Sequence, residues 1–428
     1  MKNLTKFQLV LLGLFFVAIL AGVASFALYK GGKSGPGAVN LTIWGPTDAS
    51  YSAFVESFSQ ETETANVYVA KSEAAFERDL ISAIADGVAP DIVIFPESFF
   101  TAVASRLMVI PYDSYPIRDF KDTFLEEGGM FLTEQGVAAL PLSVDPLVLY
   151  WNRDSFSAAG LPRPPEFWEE MFYVVSRLAK RTEKGEVVSP ALAFGEYGNV
   201  NHAKEILSAL LLQAGTPIIG KTPEGFNAVL ADSVGQLYPA VSVLSFYTDF
   251  ANPLKTVYSW NKSFPPAKDY FLAGALPIYI GFASEFKEIR EKNPNLNFDV
   301  SRLPQLKDSK NKITFGKMRA VAVLKTSRNI SAAVSRIYLL TDKNAGLLWS
   351  AKTGLPSARR DLLFTDQTNP ARAIFDQSAL WARGWPDPSP SATSAIFQRM
   401  VEAVVTGRLS VSEAVGQANT ELSALIGR

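Results

Sequence analysis

The first 40 residues differ from the rest of the chain in their pattern of apolar and polar positions. Residues 7–29 contain no charged side chain, and this apolar run is long enough to cross a bilayer. Lysines lie on both sides of it, so the charge bias that favours a cytoplasmic N-terminus is weak. We expect residues 1–6 to be a cytoplasmic tip, 7–29 an uncleaved signal anchor in the cell membrane, and 30–40 a glycine-rich tether. A cleaved signal peptide is the alternative for this segment.

After the tether, short apolar runs alternate with amphipathic segments. LTIWG at 41–45 is typical of a strand, and Phe76, Leu80 and Ile84 recur on one face of a helix. DIVIF at 91–95 has the β-branched and aromatic composition of a parallel strand covered on both faces. Strand, helix and strand in this rhythm predict a βαβ unit and an α/β fold.

The same reasoning predicts elements along the remaining chain. Further helices are predicted at 168–179, 202–214 and 235–250, and further strands at 148–151, 277–282 and 318–324. Ser410 and Glu413 form a capping box at the start of a helix near the C-terminus. The prolines of 384–394 predict a loop, and no internal repeat is evident.

Composition narrows the classes of function. A chain of 428 residues is long enough for two lobes or domains, and its net charge of -1 does not suit a nucleic-acid partner. The absence of cysteine excludes disulfides, thiol nucleophiles, cysteine zinc sites and a lipoprotein attachment cysteine. The single histidine, His202, cannot form a multi-histidine metal site, and we expect a structural role for it. We therefore predict neither a cofactor nor a metal.

One acidic residue lies at an unexpected position. Asp145 and Pro146 directly precede the apolar run at 148–151. A carboxylate that enters an apolar environment is costly unless another group pairs with it. Asp145 is therefore a candidate functional residue, and a turn-forming or helix-capping role is the alternative.

Seven sequence blocks, in order, resemble the carbohydrate-binding family of extracellular solute-binding proteins of ABC importers, which includes maltose-binding protein. The longest, QGVAALPLSVDPLVLYWNRDSFSAAGLPRPPEFWEE, is similar to that family's "lP……lyYN.d.f..aGl..PP.TW.E" pattern. The blocks lie at 41–45, 76–95, 135–170, 271–286, 315–341, 353–361 and 405–418. The resemblance covers nearly the whole chain from residue 41 onward.

The resemblance implies a two-lobed periplasmic-binding-protein-like fold of the class II type, in which each lobe is a mixed sheet flanked by helices. The expected N-terminal lobe comprises 41–145 and 304–342, and the expected C-terminal lobe comprises 146–303 and 343–428. The lobes would close by a hinge around a solute. The implied function is that of an extracytoplasmic receptor that acts as a monomer, binds a sugar without catalysis, and presents it to the permease subunits of an ABC importer.

The resemblance also points to residues that would face the cleft. Carboxylates accept hydrogen bonds from sugar hydroxyls, and aromatic rings pack against pyranose faces. Glu97 and Ser98 additionally follow a predicted strand, at the end where open α/β sheets bind ligands. The candidate ligand-binding residues are Trp44, Glu97, Ser98, Asp145, Trp260, Phe282, Gly316, Lys317 and Trp385.

Two of these positions depart from the family pattern. Phe282 stands where the family often has tryptophan, and Lys317 replaces the second glycine of a turn. These departures imply a cleft unlike that of maltose-binding protein, so the resemblance does not identify the sugar.

Other classes of function remain as alternatives. SEFK at 284–287, SRN at 327–329 and KTG at 352–354 have the order of motifs found in serine transpeptidases and β-lactamases. They lie within about seventy residues, closer than that fold requires. A glycan-active enzyme with Glu97 and Asp145 as its carboxylate pair is a second alternative. A non-transport sensor on the same fold is a third.

Overall fold

The computed structural model describes residues 39–59, 64–222, 225–307, 309, 311–365 and 369–427. The strands are β1 (Val39–Pro46), β2 (Thr64–Lys71), β3 (Ile92–Pro96), β4 (Ile110–Pro111), β5 (Gly136–Val137), β6 (Leu140–Asn152), β7 (Lys180–Arg181), β8 (Val187–Ser189), β9 (Ile219–Thr222), β10 (Gly225–Ala228), β11 (Ile278–Phe282), β12 (Phe298–Arg302), β13 (Thr314–Val323) and β14 (Ala382–Arg383).

The α-helices are α1 (Ala49–Ser57), α2 (Glu73–Ala85), α3 (Phe100–Val103), α4 (Ile117–Thr123), α5 (Arg153–Ala158), α6 (Trp168–Leu178), α7 (Ala203–Gln213), α8 (Pro239–Asp249), α9 (Ala267–Leu272), α10 (Glu285–Lys292), α11 (Ile330–Leu340), α12 (Lys343–Thr353), α13 (Pro370–Trp381), α14 (Pro390–Val405) and α15 (Val411–Ile426). Short 3-10 segments occupy Glu97–Phe99, Ala104–Arg106, Glu126–Phe131 and Arg360–Leu362.

A mixed sheet runs through the molecule in the order β11-β6-β13-β3-β1-β2. β1 is parallel to both β2 and β3, which confirms the βαβ unit predicted at the start of the folded region. β13 is antiparallel to β3 and to β6, and β6 is antiparallel to β11 and β12. The central strands β6 and β13 therefore connect the parallel part of the sheet to the antiparallel part.

Buried apolar residues form two separate cores, one for each lobe. The first core contains Ile43 on β1 and Phe95 on β3. The second core contains Trp168 on α6 and Phe397 on α14. Because each core buries its own apolar surface, the two lobes can move relative to one another at a small number of connections.

Two long strands and one helix connect the lobes. On β6, Val144 packs in the first core and Leu147 packs in the second. On β13, Phe315 belongs to the second core and Met318 to the first. Helix α13 also contributes side chains to both cores and leads into β14, which pairs with β13. These connections form the hinge.

The packing of α12 differs from the lobe boundaries expected from sequence. The expected C-terminal lobe includes 343–428, but Trp349 on α12 is buried in the first core. Its ring lies 4.6 Å from that of Tyr51 and 5.4 Å from that of Phe54, centroid to centroid, on α1. A large aromatic side chain packs where an apolar pocket can bury it, and the residues of α1 that form this pocket precede Trp349 by nearly three hundred positions in the sequence.

Two predicted boundaries also require correction. The loop predicted at 384–394 ends earlier, because α14 begins at Pro390. The helix predicted at 235–250 begins at Pro239. Proline is favoured at the first turn of a helix, where its missing N–H is not needed, so these prolines start helices and do not interrupt them. The capping box of Ser410 and Glu413 is confirmed.

The predicted tip and anchor, and nearly all of the tether, precede residue 39 and lie outside the described residues. Within the described part of the chain, no helix combines the length and the apolar character that a membrane crossing requires.

Candidate functional site

Two cavities lie in the cleft between the lobes. The first, called here the Trp385 cavity, has a volume of about 470 Å³. It is lined by Glu73, Pro96, Glu97, Ser98, Tyr197, Val200, His202, Ala203, Lys204, Glu205, Phe315, Lys317, Trp385, Asp387, Pro390, Ser391 and Ser394.

The second, called here the Asp145 cavity, has a volume of about 360 Å³. It is lined by Asp48, Ser50, Tyr51, Ser143, Asp145, Ser284, Lys287, Glu288, Glu291, Lys317, Arg319, Trp349, Lys352, Thr353 and Leu355. Lys317 on the hinge strand β13 lines both cavities.

The N-terminal lobe contributes a buried carboxyl group to the Trp385 cavity. Glu97 begins the 3-10 turn after β3 and is only 6% exposed. Its Oε2 atom has no hydrogen-bond partner among the described residues. Burial raises the pKa of Glu97 to about 8; Glu127 adds to this rise, and Lys317 and Arg319 oppose it. Glu97 therefore has spare hydrogen-bonding capacity inside the cleft.

The C-terminal lobe contributes the first turn of α7. His202 precedes this helix with a left-handed backbone, φ 59°. Its Nε2 atom lies 2.5 Å from Oε1 of Glu285, and its ring lies edge-on to Phe282 with centroids 4.9 Å apart. Tyr279 also donates its hydroxyl to Glu285, at 2.6 Å. These contacts hold the imidazole in one orientation at the wall of the cavity.

Ion pairs join the charged groups of this wall. Lys204 Nζ donates to Asp387 Oδ2 at 2.7 Å, and Lys317 Nζ lies 3.4 Å from Glu205 Oε1. Burial acts to raise the pKa of Glu205, but Lys317, His202 and Lys204 outweigh it and leave that pKa below its ordinary value. The pair of Lys317 and Glu205 connects the hinge strand to α7 across the cleft.

Aromatic side chains supply the apolar surface of the Trp385 cavity. Trp385 is held by a bond from its Nε1 to Ser208 Oγ at 3.0 Å, and its ring is nearly parallel to that of Phe397. The Tyr197 hydroxyl lies 2.7 Å from Ser394 Oγ. Aromatic faces combined with fixed polar groups are typical of small-molecule sites and suit a sugar ring.

Asp145 lies on β6 opposite Lys317 of β13 and faces the second cavity. Its Oδ1 atom accepts the backbone N–H of Ser284 at 3.0 Å, at the residue that precedes α10. Burial raises its pKa, whereas Ser284 and Lys317 oppose that rise. The carboxylate thus satisfies a free N–H at a helix start. Asp145 lies within β6, and the N-cap residue of α10 is Ser284, so the role of Asp145 in binding remains a prediction.

Four of the sequence candidates lie together in the Trp385 cavity: Glu97, Ser98, Lys317 and Trp385. Trp44 and Trp260 do not line either cavity. Trp44 packs in the first core below Lys71, whose Nζ is 4.0 Å from the ring centroid. Trp260 is fully buried in the second core and donates its Nε1 to Asn199 Oδ1 at 3.0 Å.

Phe282 and Gly316 lie behind the cleft surface. Lys317 Nζ lies 4.3 Å from the centroid of the Phe282 ring, and His202 packs against its other side. A Cβ atom at Gly316 would lie 2.5 Å from the Cβ of Ala382. Gly316 is therefore required for the close approach of β13 and β14, and Phe282 supports the residues that line the cavity.

The motifs of the serine-enzyme alternative are not assembled. Ser284 and Lys352 line the Asp145 cavity, but Ser327 donates to Asp91 Oδ1 at 2.6 Å and lines neither cavity. Gly354 ends α12 in a left-handed conformation, so KTG lies at a helix terminus. In that enzyme class, KTG belongs to a strand beside the active site.

Sequence reasoning missed most of the C-terminal wall, notably Tyr197, Lys204, Glu205, Asp387 and Ser394. The polar residues of NHAKE do begin a predicted helix, and helix starts often meet ligands. Their direction toward the cleft follows from the tertiary packing of α7 against β13, which the pattern does not contain.

Two α/β lobes that share hinge strands and enclose a polar, aromatic-lined cleft define a solute-binding protein of the periplasmic-binding type. Residues 44–335 match the family described as bacterial extracellular solute-binding protein. The chain belongs to this family, which confirms the resemblance found in its sequence. The family and its relatives are binding proteins, so the chain is not an enzyme.

Relatives and solved structures agree with this assignment. The galactooligosaccharide-binding protein of Bacillus subtilis (strain 168) is 22% identical over 401 residues, which cover 90% of this chain and 89% of the relative. A cyclo/maltodextrin-binding protein complexed with maltotetraose has a TM-score of 0.73 at 15% identity, covering 92% of this chain and 98% of that one.

A cyclic alpha-maltosyl-1,6-maltose binding protein from Arthrobacter globiformis also has a TM-score of 0.73, at 18% identity, covering 91% of this chain and 99% of that one. These similarities confirm the two-lobed α/β fold.

Proposed function

We propose that this protein is the membrane-anchored receptor of an ABC importer, which binds a sugar or oligosaccharide in the Trp385 cavity and presents it to the permease. The main support for the proposal is the position and the lining of the Trp385 cavity. It joins both lobes at the hinge and combines the aromatic ring of Trp385 with the polar groups of Glu97, Ser98 and Lys317.

The names of the relatives support a carbohydrate ligand. The Bacillus relative is named for galactooligosaccharides, and the two structural neighbours are named for cyclo/maltodextrin and for cyclic alpha-maltosyl-1,6-maltose. The departures at Phe282 and Lys317 leave the particular sugar open. Anchoring by residues 7–29 and delivery to a permease follow from the apolar N-terminal run and from the family.

Capture depends on contacts that exist only when the lobes are closed. Glu97 and Ser98 belong to one lobe, whereas Tyr197, Glu205 and Trp385 belong to the other side of the cavity. A solute that touches both walls stabilises the closed form by its differential affinity for that form. The permease would recognise this closed form.

Thermal unfolding of the full chain tests this proposal. The chain is purified in a detergent without a sugar head group and heated with mono- and oligosaccharides, amino acids and polyols. A ligand at 100 times its dissociation constant adds about 2.7 kcal/mol to the free energy of unfolding and raises the midpoint. One sugar class should raise it. A response to amino acids alone would contradict the carbohydrate assignment.

A further inference from the structure

The charges that line the Trp385 cavity are unequally paired. Three of its four carboxylates have a cationic partner: Glu73 with Arg319, Glu205 with Lys317, and Asp387 with Lys204. The fourth carboxylate, that of Glu97, has no ion pair among the described residues, and its Oε2 atom has no hydrogen-bond partner there. The cavity therefore contains one carboxyl group that its own side chains do not satisfy.

The cations of the cavity are already engaged. Lys204 and Lys317 each contact a carboxylate, and His202 is bonded to Glu285. An anionic solute would have to break one of these pairs before it gained a partner. A cationic solute, by contrast, meets a carboxyl group that is buried and unoccupied, where a charge-assisted bond is strong.

The charged residues near Glu97 determine which ligand group can pair with its carboxyl group. The charged groups that act on it are Glu127, which follows α4, and Lys317 and Arg319 on β13. Burial dominates over these charges and holds its pKa near 8, so the carboxyl group is mostly protonated in the empty cavity at neutral pH. Its ionised form requires an additional positive partner.

We propose that the Trp385 cavity takes an amino-bearing carbohydrate whose ammonium group binds the Glu97 carboxylate. This inference rests on the proposed function, since it places a sugar in the same cavity. On binding at neutral pH, the O–H bond of the Glu97 carboxyl group breaks, the proton goes to solvent, and the carboxylate forms an ion pair with the ammonium; no other covalent bond changes. Trp385 and Tyr197 line the same cavity and supply the apolar contacts for the sugar ring.

Isothermal titration of the full chain with matched sugars tests this inference. The probes are glucosamine, N-acetylglucosamine and glucose, the corresponding galactose set, and the β-1,4-linked dimers of the glucose set. We expect an amine to bind at least about tenfold more tightly than its acetamide and hydroxyl analogues. At pH 6.5, where the amine is charged, heats in buffers of different ionisation enthalpy should show the release of about one proton.

The pH dependence has a definite direction. Because binding releases one proton below the pKa of Glu97, while the amine itself starts to lose its proton near pH 7.5, the affinity for the amine should rise several-fold from pH 6.5 to 7.5. Equal affinity for amine and neutral analogues, without proton release, would overturn the inference and leave the proposed function intact. A panel in which no sugar binds would overturn both.

Substitution at Glu97 separates this role from a packing role. Glu97→Gln should retain the affinity for the neutral analogue, but lose the preference for the amine and the released proton. Glu77→Gln, at an exposed position of α2, is the matched control and should keep both. If Glu97→Gln does not fold, proton release in the unsubstituted chain decides the question. An amine preference that survives in Glu97→Gln would contradict the inference.

Discussion

The two cavities of the cleft differ in the kind of buried polar atom that lacks a hydrogen-bond partner among the described residues. In the Asp145 cavity, Asp145 accepts the N–H of Ser284, whereas two donors, Arg319 Nη1 and Trp349 Nε1, have no hydrogen-bond partner among the described residues. In the Trp385 cavity, aromatic and polar side chains line the wall together, and the acceptor Glu97 Oε2 has no hydrogen-bond partner among the described residues. Both cavities meet at Lys317, so the same hinge strand borders a cavity with unpartnered donors and one with an unpartnered acceptor.

This difference shows that the depth of a cavity and the charge of its lining residues are not enough to identify a binding site. Charged groups that satisfy one another stabilise the arrangement of the lobes and gain little from a solute. A buried polar group without a hydrogen-bond partner lowers the stability of the ligand-free protein. A ligand that supplies the missing partner removes this cost and gains affinity. We propose the Trp385 cavity as the ligand site because its unpartnered atom is a carboxyl oxygen and aromatic rings line the same cavity.

The largest effect is expected from Trp385→Ala. Removing a buried aromatic side chain costs about 3–5 kcal/mol of stability, and the ligand loses its apolar surface. We expect at least about 100-fold weaker binding by titration calorimetry, with the free energy of unfolding measured in urea. Trp385→Phe is the control, with smaller losses in both. Affinity within threefold of the unsubstituted protein would place the ligand elsewhere.

The next effect concerns pH and stability in the empty protein. Burial raises the pKa of Glu97 to about 8 and that of Glu127 to about 7, above the ordinary value of 4.5. The folded state therefore holds these protons more tightly, and the free energy of unfolding falls as pH rises from about 5 to 8. The contribution is on the order of 5 kcal/mol for Glu97 and on the order of 3 kcal/mol for Glu127.

Urea unfolding at several pH values measures this loss. Glu97→Gln should flatten the decline between about pH 5 and 8, and Glu127→Gln should flatten it between about pH 5 and 7. The exposed substitution Glu77→Gln is the control. A decline of the same size in both buried variants would show that other groups cause it.

A smaller effect is expected from Gly316→Ala. The added Cβ would meet that of Ala382, so β13 and β14 must separate slightly, at a cost of about 1–3 kcal/mol. Ligand affinity of the folded protein should change less than threefold, because Gly316 lies behind the cavity surface. Gly87→Ala, at a positive φ without nearby atoms, tests strain without crowding. Loss of ligand binding without a change in the free energy of unfolding would show that Gly316 contacts the ligand.

The smallest effect on binding is expected from Asp145→Ala. The substitution leaves the Ser284 N–H without its acceptor, at a cost of about 1–2 kcal/mol of stability. The affinity for a sugar should fall less than threefold, since Asp145 does not line the Trp385 cavity. Asp145→Asn, which retains an acceptor, is the control. Complete loss of binding in both variants would show that the sugar binds in the Asp145 cavity and not in the Trp385 cavity.

The sequence alone determined the class of the fold and the order of its main elements. Strand and helix patterns are local, so LTIWG at 41–45 and the stripe at 168–179 predicted β1 and α6 correctly. Ordered family blocks placed Glu97 and Ser98 at the end of β3, where the geometry of an open sheet puts ligands.

The tertiary structure decided which polar groups meet. Trp44 and Trp260 are core residues because apolar side chains from distant parts of the chain surround them in the folded protein. In the same way, the burial of Trp349 places α12 against the first core. The pairing of Lys317 with Glu205 requires β13 and α7 to approach across the cleft. Whether a carboxylate such as Glu97 has a partner depends on distances between lobes, and no periodicity along the chain encodes those distances.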